Sequence, residues 1–258
     1  MLRTVKATRY VVPLREGGSL PAIVEADDLG LYVVKFRGAG QGSLALVAEL
    51  IAGEIGRALG LNVPELVFIE IDGLLGRNEP DAEIRELIKK SEGLNLALDY
   101  LPGSTMFDPA ARDAAPADVA SMIVWFDAFT MNVDRTPRNA NLLVWHHKLY
   151  CIDHGAALFF HHSWGTRAQK VESPFREIEQ HILLPWATQI EQAVALAQAR
   201  LTPSALQEIV AQVPAAWLAP MGGDSDEIRA GYIDFLRARL AAAAIFEQEA
   251  IRAHARIV

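Results

Sequence analysis

Residues 132–155, NVDRTPRNANLLVWHHKLYCIDHG, decide how this chain is read. Asp134 is followed by Asn139 five positions on and by Asp153 fourteen further, with a short hairpin between the last two. Its β-prone runs, 141–145 and 149–153, flank a turn at His146, His147 and Lys148. Phosphoryl transfer from a nucleotide uses such a set. One carboxylate orients the attacking hydroxyl and accepts its proton, while an amide oxygen and a second carboxylate hold Mg²⁺ on the phosphates. The hairpin brings distant oxygens together, and Gly155 leaves the backbone free to turn beside the metal. Each piece alone has an ordinary explanation, since Asp-x4-Asn arises by chance and Asp-His-Gly after a strand is a common turn. Their order around one hairpin is what points to chemistry.

Working outward, the first hundred residues read as strands and tight turns. Runs 10–14 and 21–25 make a hairpin across Arg15-Glu16-Gly17-Gly18-Ser19, and a third strand follows at 31–36 (LYVVKF). A helix is expected from Ser43, as N-cap, to Leu59, with Gly60 as its stop. Residues 63–72 read as a strand, 82–90 as a helix and 94–101 as a strand, before Pro102-Gly103-Ser104. Lys35 stands in an otherwise apolar strand. An inward ammonium there needs a partner or a ligand, although lysine also buries its stem and keeps its charge wet. Backbone N–H groups of Gly17, Gly18 and Ser19 could cradle phosphates, though most glycine turns only turn.

Beyond Pro102 helical spacing takes over. Residues 116–131 carry Val119, Met122, Ile123, Phe126 and Phe129 at helical intervals, with Pro116 suited to the first turn. Further helices are expected at 172–184, 188–200 and 203–213, and one long helix from 224 to about 255. The expectation is an α+β, two-lobed chain: a β-rich N-lobe over 1–101 with one prominent helix, and a mainly helical C-lobe over 102–258. Composition agrees. The 258 residues are 51% hydrophobic and can bury a full core. With 24 basic and 32 acidic residues the net charge is −8, which argues against general nucleic-acid binding. The single cysteine, Cys151, excludes an intramolecular disulfide and a cysteine-based metal site, and the seven histidines lack metal-site spacing. No run reaches the roughly 18 apolar residues of a membrane span, and the N-terminus lacks a signal-peptide pattern. A soluble, cytoplasmic protein with no membrane partner is expected.

Five stretches, GGSLPAIVEADDLGLYVVKF, VAELIAGEIGRALGLNVPE, NVDRTPRNANLL, YCIDHGAAL and RAGYIDFLRARL, resemble the HipA-like kinases. This is a bacterial branch of the protein-kinase and phosphoinositide-kinase scaffold, and the resemblance spans nearly the whole chain. It implies a two-lobed protein-kinase-like fold, with the two lobes forming one kinase domain. The implied activity is ATP- and Mg²⁺-dependent phosphotransfer to a hydroxyl acceptor, as in serine/threonine kinases. Residue by residue, it implies Lys35 on the nucleotide phosphates with Glu49 as its partner, while Gly17, Gly18 and Ser19 remain the phosphate-cradling turn expected from the residues themselves. It further implies Leu98, Asp99, Tyr100 and Leu101 as the adenine-contacting connection, Asp134 as catalytic base, and Asn139 and Asp153 as Mg²⁺ ligands. The kinase offset selects Asn139 over the nearby amide of Asn141. Three departures bear on substrate and partner: a plain Gly-Gly-Ser loop, threonine after Asp134-Arg135 where histidine is usual, and no room for a toxin's extra N-terminal subdomain. An antitoxin-like partner is admitted by the family but has no support in the residues.

Periodicity and resemblance disagree at one helix. Val47, Leu50, Ile51, Ile55 and Ala58 share an apolar face that contains Glu54, whereas Glu49 lies opposite with Ala45, Ala52 and Gly56. Periodicity favours Glu54 as the inward acid and the resemblance favours Glu49. Glu49 is followed because small neighbours let that face approach a nucleotide, with Glu54 as the rival. His146 and His147 fit a solvated turn, and His154 fits packing beside the metal site. Other readings stay open: an aminoglycoside- or choline-type small-molecule kinase, a phosphoinositide-type kinase, or a pseudokinase acting as a binding module. The aromatics and the basic residues Arg167, Lys170 and Arg176 after Asp153 suit docking of a protein substrate, and equally suit anchoring of the loop through Phe159, Phe160 and Trp164. A seryl or threonyl acceptor on a protein is expected, Ser19 of this chain included.

Overall fold

Strand alternation builds the N-terminal part of the computed structural model, which describes residues 1–14, 20–40, 42–111 and 115–257. Strands β1 (Thr4–Pro13), β2 (Ala22–Ala26), β3 (Leu31–Lys35), β4 (Leu66–Ile71) and β5 (Gly93–Asp99) close into a barrel of order β1-β2-β3-β5-β4. Its pairs are antiparallel except the closing one, where β4 runs parallel to β1. Successive side chains point to opposite faces of a strand. Val24, Val34, Val67, Ile69 and Ala97 therefore fill the barrel, joined by Ile84 and Ile88 of α2 (Ala82–Lys90). Leu66, Phe68, Leu96 and Leu98 have the other parity and pack with helix α1 (Gly42–Ala58) in the main core.

Helix α1 is covered on both sides, by β4 and β5 and by helices of the C-terminal part. That resolves the conflict in its pattern. Periodicity finds one apolar face, but a sandwiched helix has two, so Glu49 is buried along with Leu50 and Ile51 while Glu54 pairs at 3.3 Å with Arg57. The small residues matter: a Cβ on Gly56 would meet Val63 at 3.1 Å and Phe126 at 3.6 Å.

The C-terminal part is built around α3 (Ala117–Thr130), whose residues from Ala120 onward are all buried. Trp125 stacks on Phe129 at 5.2 Å, and both pack against Phe246. A short strand β6 (Thr105–Met106) pairs with the hairpin β7 (Leu142–Trp145) and β8 (Lys148–Cys151). His146 and His147 make its turn with φ of 48° and 61°, the positive pair that a tight hairpin requires. Helices α4 (Ile190–Arg200), α5 (Pro203–Ala211), α6 (Ala215–Leu218), α7 (Ser225–Ala241) and α8 (Ala244–His254) complete it. Arg239 of α7 is fully buried and donates to the carbonyls of Ala128 and Phe129 at the end of α3 and of Lys170, Val171 and Ser173. Carbonyls at a helix C-terminus lack helical partners and carry partial negative charge, so the guanidinium both satisfies and fixes them.

Four local expectations are corrected. The expected long helix from 224 to about 255 is two, broken at Ala242 and Ala243, where a run of alanines gives no capping signal. Residues 172–184 are not a helix; short 3₁₀ turns at Arg176–Gln180 and Leu184–Trp186 flank an extended His181, held out by bonds described below. Ser43 does not cap α1 but donates from within its first turn to the Trp217 carbonyl at 2.7 Å. The backbone turn after β8 falls on Asp153, with φ of 53°, rather than on Gly155. No helix among the described residues is long and apolar enough to cross a membrane.

Candidate active site

Lys35 closes β3 with parity opposite to Val34, so its side chain stands on the barrel face that α1 covers. An ammonium there needs carboxylates. Its Nζ lies 2.7 Å from Asp153 Oδ1 and 3.8 Å from Glu49 Oε2. Burial alone would depress the lysine, but the charges of Glu49, Asp153 and Asp134 together hold its pKa above the usual value. Burial likewise opposes ionisation of Glu49, yet the charge of Lys35 and hydrogen bonds from His154 hold that carboxyl below the usual carboxylate range. His154 Nδ1 is 3.3 Å from Glu49 Oε1. Ala45 on α1 meets the Asp153 turn at Gly155, where an added Cβ would lie 3.7 Å from both Ala45 Cβ and Asp153 Oδ1.

Asp134 sits on the loop after α3 and is half-buried. Asn139 Nδ2 donates to its Oδ2 at 2.8 Å, and Asn141 Nδ2 donates to its carbonyl at 3.0 Å. A carboxylate only accepts, so the Asn139 amide is oriented by this bond and its oxygen is left for another ligand. Asn141 also ties the loop to the end of β8, since its own carbonyl accepts from Ile152 N–H at 3.1 Å.

Beneath this loop lies a buried charge network. Asp127 of α3 accepts from Arg135 Nε at 2.5 Å, Asn132 Nδ2 at 2.9 Å and His181 Nε2 at 2.8 Å. Arg135 also donates to the Asn141 carbonyl, and Ile182 N–H donates to the Arg135 carbonyl at 3.0 Å. Burial would raise Asp127, but Arg135 first and His181 next hold it far below the carboxylate range, while burial keeps His181 below the usual histidine value. The network spans α3, the Asp134 loop and residues 181–182, which is why His181 is extended. Its one local signal was Asp127 itself, a charge inside the apolar run SMIVWFDAF.

Leu98 is buried on β5, and the chain leaves the barrel through Asp99 and Tyr100, whose N–H groups donate at 2.9 Å to Glu65 and Leu31, before a buried Leu101. Gly17, Gly18 and Ser19 lie outside the described residues. After Asp153, Phe160 stacks on Phe235 at 3.8 Å, and Trp164 packs on Tyr232 at 4.8 Å with Arg167 over its ring. These aromatics anchor the loop to α7.

Asp134, Asn139 and Asp153 offer hard oxygen donors, the chemistry that suits Mg²⁺ or Mn²⁺. Cys151 is buried with its thiol pushed up to about 12, which removes it as a thiolate ligand. No cluster of three or more His, Cys, Asp or Glu forms an all-protein cage among the described residues. Two protein ligands plus phosphate oxygens is the usual arrangement for a nucleotide-borne ion.

The fold is shared with solved kinases. A Helicobacter pylori proinflammatory kinase, CtkA, matches with a TM-score of 0.56 at 14% identity over 90% of this chain and 94% of its own. The Golgi casein kinase with Mn and ADP bound matches with a TM-score of 0.53 at 10% identity, over 96% of this chain and 74% of its own. A second structure of the Golgi casein kinase gives 0.51 at 12% identity, over 96% and 72%. At these identities the likeness is one of fold. A search of curated proteins found no match. The family model of the HipA-like kinases matches residues 9–244 of the 258, and the chain therefore belongs to the HipA-like kinase family and is a kinase.

Proposed function

We propose that this kinase transfers the γ-phosphoryl group of ATP, with Mg²⁺, to a seryl or threonyl hydroxyl on a protein. The observation that carries the nucleotide part is the meeting of Lys35, the buried Glu49 and the partly exposed Asp153 in one charge cluster that also feels the Asp134 carboxylate. Lys35, held by Glu49, grips phosphate oxygens, and Leu98, Asp99, Tyr100 and Leu101 line the adenine. Asp153 and Asn139 would hold the Mg²⁺, which when bound would neutralise charge on the phosphates. Asp134 takes the proton of the acceptor hydroxyl as its oxygen bonds to the γ-phosphorus and the bond to the β-phosphate oxygen breaks, releasing ADP.

The protein acceptor rests on family membership, since the aromatics after Asp153 serve the core instead of an open surface. The test is incubation with γ-labelled ATP, alone and with cytosolic extract, followed by mapping of labelled residues. Label on serine or threonine of a polypeptide is the expected result, with Ser19 of this chain a candidate. Label found on metabolites or lipids with none on any polypeptide would overturn the acceptor class while leaving the kinase assignment intact.

A further inference from the structure

We propose that His154 is a positioning residue of this site: its imidazole holds the Glu49 carboxylate toward Lys35 and couples helix α1 to the Asp153 turn. The proposal rests on the nucleotide-site reading above. His154 is fully buried, and its ring stands edge-on to Phe126 with centroids 5.6 Å apart. Because a carboxylate only accepts, the 3.3 Å contact with Glu49 Oε1 is a donation from Nδ1. Nε2 is then buried without a hydrogen-bond partner among the described residues. An unpartnered buried nitrogen costs stability. A phenyl ring would fill the same space beside Phe126 without that cost, so packing does not explain the histidine. What the imidazole supplies is the Nδ1–H.

The donation matters because Glu49 is divided between two partners. Its Oε2 makes no hydrogen bond among the described residues and faces Lys35 at 3.8 Å. The His154 backbone N–H also lies against this carboxylate, and the Nδ1–H on Oε1 adds the side-chain tether that keeps Oε2 turned to the ammonium. Lys35 in turn meets Asp153 at 2.7 Å, and Asp153 is bonded through the chain to His154. The four residues form a closed ring: Asp153 to His154 by the peptide bond, His154 to Glu49 by the hydrogen bond, Glu49 to Lys35 and Lys35 to Asp153 by charge. A shift of α1 or of the Asp153 turn strains at least one of these charged contacts.

The test uses His154→Phe, which keeps the packing, and His154→Asn, whose Nδ2 stands near the position of Nδ1. Loss of one charge-assisted hydrogen bond should raise the ATP dissociation constant by calorimetry, and the KM for ATP, about tenfold. His154→Phe leaves the buried Glu49 Oε1 without its Nδ1–H donor and should melt somewhat lower than the parent protein while staying folded at the assay temperature, and His154→Asn should recover most of the affinity. In a Glu49→Gln background, His154→Phe should add little, because two residues acting through one contact do not add. Parental affinity in His154→Phe, or a loss that adds in full to that of Glu49→Gln, would overturn the proposal. Should His154→Phe not fold, His154→Gln, whose amide reaches toward Nε2 instead, decides in the same way: tenfold weaker ATP binding supports the role and parental binding refutes it. A parent protein that binds no ATP overturns the nucleotide-site reading itself, a different outcome from a parent that binds and a His154 variant that binds equally.

Discussion

Asp134→Asn is expected to lower phosphoryl transfer by about 10²–10⁴-fold, the usual contribution of a positioned general base, with ATP affinity nearly unchanged. The amide cannot take the hydroxyl proton. It does preserve shape, and an amide oxygen can still accept from Asn139 and Asn141, which bond Asp134 now. The nucleotide contacts proposed for Lys35 and Asp153 lie elsewhere in the site, so binding and chemistry should separate. Measuring kcat alongside a calorimetric dissociation constant checks this. A variant that loses ATP affinity as severely as turnover would assign Asp134 to the nucleotide and not to the acceptor.

Asp127→Ala is expected to destabilise the fold by about 3–5 kcal/mol, the cost of leaving a buried cation without its partner. Arg135 has no exposed surface on its side chain, and Asp127 is the carboxylate it meets. For a chain of this size that is a fall in melting temperature of roughly 6–20 °C. The loss should depend on pH in one direction. Asp127 ionises well below the ordinary carboxylate range in the folded state, so its contribution is complete above an unfolded value of about 3.9 and fades as pH falls through the folded one. Parent and variant should therefore differ fully at neutral pH and converge in acid. Melting curves at neutral and acid pH decide it, and equal curves at neutral pH would mean that Arg135 finds another partner.

How far the chain could be read from its residues follows from what kind of signal each feature leaves. The Asp134–Asn139–Asp153 order was legible because a loop and a hairpin close to each other in sequence bring these residues together, with few ways to arrange them. Lys35 was legible because a charge in an alternating strand has only two faces to choose from, and the barrel interior is apolar. Glu49 was not readable from periodicity, since α1 is buried on both sides and an amphipathic pattern presumes one. His181 and Asp127 meet across 54 positions, and His154 and Glu49 across 105, so neither pair leaves a local pattern. The break between α7 and α8 falls in alanines that favour helix throughout, and packing of Phe246 on α3 overrides that preference.

The metal-dependent nucleotide site proposed for Lys35, Glu49, Asn139 and Asp153 should show itself in calorimetric titration with ATP, with and without Mg²⁺, on the parent protein and Asp153→Ala. Saturable binding by the parent that Mg²⁺ strengthens, with loss of that strengthening in Asp153→Ala, is the expected result. Absence of binding by the parent at millimolar ATP with Mg²⁺ present, or an Mg²⁺ effect that persists undiminished in Asp153→Ala, would contradict it.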